Sequence, residues 1–592
     1  MGPIPFPGKN RTDSLARVFV GMGVYWLSVI AGGLSMADSH ESVLTAATDG
    51  AVTTDVQAAD SSPSKIDFCN DVLPIMTKLG CNAGACHGAA IGRGGFKLSL
   101  YGGNPESDYE SIVQELGGRR VNPLHPKASL IYRKPTDDIE HDGGMVLDPD
   151  SVAATIVLKW LDQGIEYGKE KTLDRLRITP DQLVVEKLSE PIPLTATAHY
   201  SDGTTRDVTQ WTTFEPEDRS AIRINEDHSN ASVLRKGRHV LVARYATKVV
   251  PIEFVAPVFE QDTQKRRQSD GLDFIDANVD RRLEMLGFRT SGDAKDGAFL
   301  RRVTLDLTGR LPSVEKTRSF LNSIDSQKRD QLVNELLQSP MFDEHWTRKM
   351  AQWLKVDAIS QDDDAKNVYQ TWIEEQIRRD TSFQEIAWDL VTASGDTRQV
   401  GPANFYRTTK GPDEQAEFFS EFFMGSRLRC ANCHNHPLDR WTQDDYHGLA
   451  AIFAKVELGQ VISDKPSGRV IHPVTMEEAQ AKIPGETELP TQPSLRIGLA
   501  SWLTDEGNPY LSRVFVNRLW SHMMGRGLVE PVDDFRATNP ATHPQLLDQL
   551  ARDFAAHDFS LRHTLRSIAL SDAYARSSEA NQQNNKSPKR AK

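Results

Sequence analysis

The sequence predicts a multidomain, mainly helical protein with one all-β sandwich inserted between its helical parts. The length of 592 residues is enough for roughly three or four domains of about 150 residues each. Apolar residues recur at helical spacing through most of the chain, whereas one central stretch alternates apolar and polar residues. Hydrophobic residues make up 39% of the chain and charged residues 26%, as in ordinary globular proteins. The net charge of -13 argues against a nucleic acid as the main partner.

The N-terminal residues 1–37 have the pattern of a signal peptide. Basic residues precede the apolar run "VFVGMGVYWLSVIAGGL", and Ser35 and Ala37 then form a small-x-small cleavage site. We therefore expect an exported protein, periplasmic or secreted. The alternative is an uncleaved anchor, which is the one case in which we expect membrane contact. The polar residues 38–64 that follow predict a flexible linker.

Residues 65–170 predict a small domain of short helices and long loops. "NDVLPIMTKLG" has helical spacing and a stop at Gly80, and "SVAATIVLKWLDQGI" predicts a closing helix that ends at Gly164. The Gly- and Pro-rich stretch between them has no such periodicity. We expect something other than a continuous apolar core to organise this domain.

Residues 173–258 predict the β-sandwich. Short alternating runs such as "PIPLTATAHY" and "RHVLVARYATKVVPIEF" are separated by Asp-Gly and Lys-Gly turns. The stretch resembles the bacterial immunoglobulin-like domains of exported proteins, which implies a spacer or adhesion role. We expect it to fold alone and without a cofactor.

Helical spacing returns after a charged linker. We expect a helical domain over residues 271–460, a loop-rich bridge over 461–492 and a C-terminal helical domain over 493–577. The remaining residues 578–592 are polar and predict a disordered tail.

The cysteines indicate where chemistry occurs. Of the five cysteines in the chain, four lie in two clusters that each end in a histidine. The first cluster is Cys81, Cys86 and His87, and the second is Cys430, Cys433 and His434. A disulfide does not require an adjacent histidine, so this repeated pattern favours cofactor binding.

The second cluster has the spacing of a haem c attachment site. Haem c is attached when two thiols add to the two vinyl groups of the porphyrin, and the next histidine then binds the iron. Cys430 and Cys433 lie on one face of a helical turn, and His434 follows directly. Two alternatives stay open: zinc held by both thiolates with His434 or His436, and a disulfide.

The first cluster has four residues between its thiols. A regular helical turn cannot align thiols at this spacing, so Gly84 must allow the loop to bulge. The small residues between Cys81 and Cys86 suit a backbone pressed against a porphyrin edge. The order of helix, loop and closing helix is also that of a small cytochrome c. We therefore predict haem c here too, with a disulfide as the alternative.

A second axial ligand is expected from the loop before the closing helix. This loop, "DDIEHDGGMVLDPD", offers His141 and Met145. Methionine raises the reduction potential relative to histidine, and the absence of either leaves an open iron. We favour His141. At the second cluster the candidates are His436 and His447.

Several segments carry a resemblance: "GCNAGACHG", "GGFKLSLYGGNP", "FLRRVTLDLTGRLP", "FMGSRLRCANCHNHPLDRW" and "VFVNRLWSHMMGRGLVEP". With the domain order, they resemble the large exported multidomain cytochrome-like proteins of planctomycete bacteria. The resemblance implies a cytochrome-c-like first domain, haem c and a redox role outside the cytoplasm. The spacing at Cys81 and Cys86 departs from the C-x-x-C-H of the family's small cytochromes, so the second cluster is the closer match.

The leading functional expectation is an exported electron-transfer protein that carries c-type haem and exchanges electrons with an unidentified redox partner protein. One alternative is a haem-dependent redox enzyme, peroxidase-like or oxidase-like, such as an oxidase of polysaccharide. Another is a zinc-stabilised extracytoplasmic binding protein. An iron with two strong axial ligands favours electron transfer, whereas an open iron favours the enzyme.

Overall fold

The chain is described by a computed structural model over residues 65–89, 91–168, 171–259, 273–436, 439–486, 489 and 493–579. The predicted signal peptide, the predicted linker and most of the predicted tail lie outside these described residues. Among the described helices, none is long and apolar enough to cross a membrane.

The first domain consists of short helices that enclose long loops. Its helices are α1 (Leu73–Lys78), α2 (Pro105–Val113), α3 (Glu115–Gly118), α4 (Leu130–Arg133) and α5 (Val152–Asp162). A π-helical turn over Phe68–Val72 leads into α1. Trp160 of α5 is fully buried, and its ring lies 5.7 Å from that of Phe68. Both helices that the apolar spacing predicts are present, and α5 packs against the turn before α1 through Trp160 and Phe68.

Residues 173–256 form the β region that the alternating pattern predicts. Its strands are β1 (Leu173–Thr179), β2 (Gln182–Val184), β3 (Pro191–Pro193), β4 (Thr195–Tyr200), β5 (Thr205–Asp207), β6 (Thr213–Pro216), β7 (Ile222–Ile224), β8 (Asn230–Val233), β9 (Gly237–Tyr245) and β10 (Lys248–Ala256). They form three sheets, ordered β1-β4-β5, β2-β10-β9-β6 and β3-β8-β7. The pairs are antiparallel except for β2, which runs parallel to β10. Alternate residues of β4, including Ala196 and Ala198, are fully buried, as expected for strands with one apolar face.

One arginine of the β region joins it to the first domain. Arg206 Nη1 donates to Asp71 Oδ1 at 2.6 Å, and its Nη2 donates to the carbonyl of Asn70 at 2.6 Å. The same Nη2 lies 2.7 Å from the hydroxyl of Tyr245. Asp71 is only 5% exposed. A buried carboxylate needs a partner of this kind, so the ion pair fixes the turn that precedes α1.

The rest of the described chain is mainly helical. Its helices are α6 (Phe274–Met285), α7 (Asp296–Thr308), α8 (Val314–Asn322), α9 (Lys328–Leu337), α10 (Pro340–Trp353), α11 (Asp363–Arg379), α12 (Phe383–Thr392), α13 (Pro412–Phe419), α14 (Gln443–Ala454), α15 (Leu495–Leu503), α16 (Tyr510–Met524), α17 (Pro544–Ala556), α18 (Leu561–Leu570) and α19 (Asp572–Ala575). Three short strands, β11 (Gly395–Asp396), β12 (Val456–Glu457) and β13 (Val461–Asp464), form a sheet ordered β11-β13-β12.

The two predicted helical domains share one hydrophobic core. Buried residues of this core run from Ile275 to Tyr574. Phe383 of α12 stacks on Phe515 of α16, with ring centroids 3.6 Å apart and planes within 17°. The C-terminal helices therefore pack as part of the same body as α6 to α14.

Candidate cofactor-binding sites

A cavity of about 640 Å³ lies within the first domain. Its apolar lining comes from α1, α4, α5 and the loops around them, and includes Ile75, Met76, Leu130, Ile131 and Val157. Cavities that hold ligands and cofactors typically measure about 300–1,000 Å³ and are mostly apolar. The first domain therefore has room for a cofactor at its centre, in place of part of an ordinary core.

The first cluster lines this cavity. Cys81, Cys86 and His87 all contribute to its wall. The N–H of Cys81 donates to the carbonyl of Met76 in α1 at 2.9 Å, and the N–H of His87 donates to the carbonyl of Cys81 at 3.1 Å. The residues between the two thiols thus form a closed loop that returns His87 to the side of Cys81. This loop brings both thiols and the imidazole to one surface in spite of the longer spacing.

Gly88 allows the loop to close. A Cβ at this position would lie 2.1 Å from the carbonyl oxygen of Asn82, closer than a real side chain permits. The sequence interpretation assigned this freedom to Gly84, but a Cβ there would meet only Leu100 at an ordinary 3.7 Å. The close backbone approach is therefore at Gly88, where only glycine fits.

His141 lies beside His87 in the same cavity. Their ring centroids are 6.4 Å apart and their planes are within 21° of parallel. His87 Nδ1 donates to the carbonyl of Phe96 at 2.9 Å. His141 Nδ1 donates to the carbonyl of Gly144, also at 2.9 Å. Because the Nδ1 proton is used in both rings, each Nε2 keeps a lone pair.

This pair has the features of two metal ligands. Histidines that bind a metal usually donate their other ring N–H to a backbone carbonyl or a carboxylate, which fixes the ring. Two metal–imidazole bonds of about 2 Å in line with their rings place the ring centres roughly 6 Å apart. The observed centroid distance between His87 and His141 agrees with this value. The spacing of the two rings therefore leaves room for a metal ion between them, which both Nε2 atoms would have to face.

Burial keeps the candidate ligands of the first cluster in their neutral forms. It lowers the pKa of His87 below the ordinary value, and nearby His141 and Arg120 lower it further, against the hydrogen bond to Phe96. This imidazole is therefore uncharged at neutral pH and available as a ligand. Burial also raises the pKa of the Cys81 thiol to about 12, with a further contribution from Cys86. The thiol is thus protonated at neutral pH.

Charged residues surround the apolar part of the cavity. Those that line it are Arg93, Arg119, Arg120, Lys134, Glu140 and Asp142. Arg120 is buried, stacks 4.4 Å above the ring centroid of Phe96 and pairs with Glu115 at 2.9 Å. Arg119 is exposed. Cations outnumber anions in this lining, so it suits a ligand that is apolar at its centre and carries carboxylates at its edge.

The structure separates the two predicted distal ligands of the first cluster. His141 lines the cavity, whereas Met145 is 61% exposed and does not line it. Both residues lie in the same loop, and the hydrogen bond from His141 to Gly144 turns the histidine ring inward while Met145 points to solvent. This placement favours His141.

The second cluster lies on the surface, after a break in the preceding helix. α13 continues through a π-helical turn over Ser420–Met424, and Gly425 then stops it with a left-handed φ of 63°. Cys430 belongs to a 3-10 turn over Leu428–Asn432, and Cys433 follows this turn. Cys433 thus comes three residues after Cys430, directly beyond the turn, and both thiols are exposed.

The histidines around the second cluster have different surroundings. His434 Nδ1 donates to the carbonyl of Asn435 at 2.8 Å, which leaves its Nε2 as the ligand atom. Burial lowers the pKa of His436 to about 4, with further contributions from Arg536 and His434. His447 is buried, and its Nε2 donates to the carbonyl of Asn432 at 3.0 Å. His447 therefore supports the loop between the two cysteines.

The second cluster is not a preassembled zinc site. Within the described part of the chain, the group with three ligand atoms within 4.8 Å of one another is Asp553, His557 and His563 in the C-terminal helices. There His557 Nδ1 lies 3.2 Å from Asp553 Oδ1, and also donates to its backbone carbonyl at 2.8 Å. The Nδ1 proton of His557 is thus already used within α17. We interpret this group as side chains that stabilise the end of that helix.

Comparisons with known families match the two helical regions. Residues 274–458 match a family model described as PSCyt2, a protein of unknown function (DUF1549). Residues 495–592 match one described as PSD1, a protein of unknown function (DUF1553). The two models describe planctomycete-type domain families that are cytochrome-like in name. No curated protein matches the chain. The Cys430 cluster falls inside the first of these two regions.

Sequence reasoning missed the residue that anchors the second cluster to the C-terminal helices. Arg518 of α16 is buried and donates to the carbonyl of Phe422 at 2.6 Å and to that of Glu421 at 2.8 Å. These carbonyls end the helix that leads to the cluster. Phe535 adds a bond from its N–H to the carbonyl of Gly425 at 2.8 Å. The sequence feature that could have identified Arg518 is its position among apolar residues in "VFVNRLW".

Proposed function

We propose that this chain binds haem c covalently through Cys81 and Cys86 and transfers electrons outside the cytoplasm. His87 and His141 would hold its iron. When bound, the haem supplies a one-electron redox centre whose potential depends on these ligands, on hydrogen bonding to them and on burial. The protein carries this centre in a cytochrome-c-like first domain, next to an immunoglobulin-like β-sandwich.

The observation that carries the proposal is the pair of imidazoles in the cavity. His87 and His141 are 6.4 Å apart between ring centroids, and each is oriented by a hydrogen bond from Nδ1 to a backbone carbonyl. The first carbonyl belongs to Phe96, whose ring lies 4.6 Å from that of His87. Hydrogen bonds therefore hold both rings in place. Electron transfer is favoured when the ligands move little as the metal changes its oxidation state.

The same pair favours electron transfer over the haem enzyme. A peroxidase or oxidase needs one open iron position for its substrate, and with a haem bound His141 would be placed to occupy that position at the first site. The thiols of Cys81 and Cys86 line the same cavity as the imidazoles, so one group can meet all four side chains. Apolar side chains from α1, α4 and α5 form the inner part of this wall.

We include the second cluster as a further haem c attachment site. Its support is the spacing of Cys430 and Cys433 at a 3-10 turn, with the Nε2 of His434 available. Both thiols are exposed in the fold. Zinc bound at this cluster is the alternative, and it needs the loop to rearrange so that the ligand atoms converge.

The test is an absorption spectrum of the full chain produced together with a haem c maturation system. We expect low-spin absorption bands and a covalent haem stain. The stain should be weaker in the double variant Cys81→Ser, Cys86→Ser, because the first site then lacks both thiols. Cys69→Ser is the matched control, because Cys69 belongs to the same domain but does not line the cavity. A high-spin ferric spectrum from the first site would instead support the enzyme, and the absence of stain would contradict the proposal.

A further inference from the structure

Arg120 is a buried arginine in the wall of the first domain's cavity. Its Nη1 donates to the carbonyl of Ser111 in α2 at 2.6 Å and lies 2.9 Å from a carboxylate oxygen of Glu115, the first residue of α3. The carbonyl of Arg120 accepts from the N–H of Ile131 in α4 at 3.0 Å. Contacts with three helices therefore fix both the backbone and the guanidinium of this residue.

The guanidinium of Arg120 covers the ring of Phe96. Its central carbon, Cζ, lies 4.4 Å from the ring centroid. A cation over the face of an aromatic ring is attracted to it, and more strongly where both groups are shielded from water. The half-buried ring of Phe96 also packs against the core of the first domain. Arg120 therefore restricts this ring and, with it, the backbone at residue 96.

His87 is bonded to the same segment through its side chain and its backbone. Its ring centroid lies 4.6 Å from that of Phe96, and its Nδ1 donates to the carbonyl of Phe96 at 2.9 Å. The carbonyl of His87 accepts from the N–H of Leu98 at 2.8 Å. The position of the Phe96 carbonyl therefore decides how the imidazole is oriented and which of its nitrogens carries the proton.

The turn that ends at Phe96 has little packing of its own. It begins at Arg93, whose carbonyl accepts from the N–H of Phe96 at 3.2 Å. The two residues between them are glycines with left-handed φ values of 63° and 74°, and a Cβ at either would meet nothing within 4 Å. Glycine loses more conformational freedom on folding than any other residue. The carbonyl that orients His87 therefore depends on support from outside the turn, and the stacked guanidinium of Arg120 provides it.

We propose that Arg120 is a positioning residue for His87 and acts through Phe96. The stack holds the carbonyl of Phe96 where it accepts the Nδ1 proton of His87. This keeps the lone pair on Nε2, the atom by which such an imidazole binds a metal. The inference rests on the proposed function only for the use of that lone pair. The position of the proton is a property of the chain itself, with no group bound in the cavity.

The test determines which ring nitrogen of His87 carries the proton. The measurement is ¹⁵N NMR of the histidine-labelled full chain without haem at pH 8, where ordinary imidazoles are neutral, and His87→Gln assigns the signals. We expect the Nδ1–H tautomer in the wild type. Arg120→Met removes the guanidinium, and the ratio of the Nε2–H to the Nδ1–H tautomer should rise about fivefold as one net hydrogen bond is lost. An unchanged ratio would overturn the proposal.

Arg119→Met is the matched control. Arg119 precedes Arg120 in the chain and lines the same cavity, but its side chain is exposed. The substitution removes the same charge from the same wall, and the tautomer ratio of His87 should stay as in the wild type. An equal change in the two variants would show that any cation of the cavity has this effect, and it would overturn the proposal.

Phe96→Leu tests whether Arg120 acts through the ring. This variant keeps the carbonyl of residue 96 and the bonds of Arg120 to Ser111 and Glu115, so it decides the question even if Arg120→Met does not fold. It should change the tautomer ratio as Arg120→Met does, and the double variant should change it no further, because coupled residues are not additive.

An unchanged ratio in Phe96→Leu, or changes that add in the double variant, would overturn the proposal. All these measurements are made without haem. A tautomer ratio that contradicts the role of Arg120 therefore leaves the proposed haem site intact, whereas a wild type that takes up no haem contradicts the proposed function and leaves the tautomer result intact.

Discussion

The imidazole rings of His87 and His141 lie 6.4 Å apart between centroids and within 21° of parallel. They come from a loop after α1 and a loop before α5, which are more than fifty residues apart in the chain. Each ring is oriented by its own backbone carbonyl. The following predictions concern this pair and the contacts that hold the two clusters in place.

His141→Ala should convert the first site from low-spin to high-spin iron. The variant removes one of the two imidazoles and leaves an open position, so most of the haem at this site should change its absorption bands. Met145→Leu should leave the spectrum as it is, because Met145 is 61% exposed and outside the cavity. The reverse result, with the spectral change in the methionine variant, would assign the second ligand to Met145.

Arg518→Met should destabilise the protein by about 3 kcal/mol in urea-induced unfolding, because the carbonyls of Phe422 and Glu421 lose a buried donor. The thiols of Cys430 and Cys433 should also react faster with an alkylating reagent as the preceding segment loosens. The control is Arg513→Met on the same helix, whose ion pair with Asp548 is partly exposed and contributes about 1 kcal/mol or less. Equal losses in the two variants would contradict an anchoring role.

Arg206→Ala should cost about 3–5 kcal/mol, because it leaves the buried carboxylate of Asp71 without its cation. We expect the first domain to be the part that loosens, as faster amide exchange in the turn before α1. Arg177→Ala on β1 of the same sheet is the comparison, since Arg177 is exposed and its loss should change the free energy of unfolding by about 0.5 kcal/mol or less. A loss below about 1 kcal/mol for Arg206→Ala would show that Asp71 finds another partner.

The stability of the chain should fall between pH 6.5 and 4, partly because of His345. Burial lowers the pKa of His345 to about 4, with smaller contributions from His522, Lys349 and Arg348. The unfolded chain then binds more protons than the folded one in this range, so the free energy of unfolding decreases as the pH falls from the unfolded pKa to the folded pKa. The contribution of this one group is up to roughly 3 kcal/mol.

His345→Gln should flatten this part of the pH profile. The variant removes the titrating group, so the difference in the free energy of unfolding between pH 7 and pH 4 should become smaller than in the wild type. The measurement is urea unfolding at both pH values. An identical pH dependence in the two proteins would show that His345 is not buried as a neutral group.

Periodicity was enough to predict the elements of the fold, because burial on one face leaves a repeating pattern. The alternation in "TATAHY" marks the buried residues of β4, and "SVAATIVLKWLDQG" gives α5 almost to the residue. The shared core of the two helical regions was not predictable in the same way. The stacking of Phe383 on Phe515 joins residues that are far apart in the chain, and no local pattern encodes such a contact.

The residues that line the cavity include the candidates named from the sequence, but the cavity itself was not predictable. The sequence pointed to Cys81, Cys86, His87 and His141, yet it ranked the second cluster first because only spacing was visible. The cavity depends on the way the loop closes at Gly88, which is a three-dimensional contact with Asn82. For the same reason Met145 and His141, four residues apart in a loop without periodicity, could not be separated before their surroundings were known.

The central claim is haem c attachment at the first cluster, and peptide mass spectrometry tests it most directly. Trypsin cleavage after Lys78 and Arg93 releases one peptide that contains Cys81, Cys86 and His87. We expect this peptide, from the full chain produced with haem maturation, to carry the mass of one haem and to have no thiol free for alkylation. A peptide that contains two free thiols, or a disulfide, and no haem would contradict it.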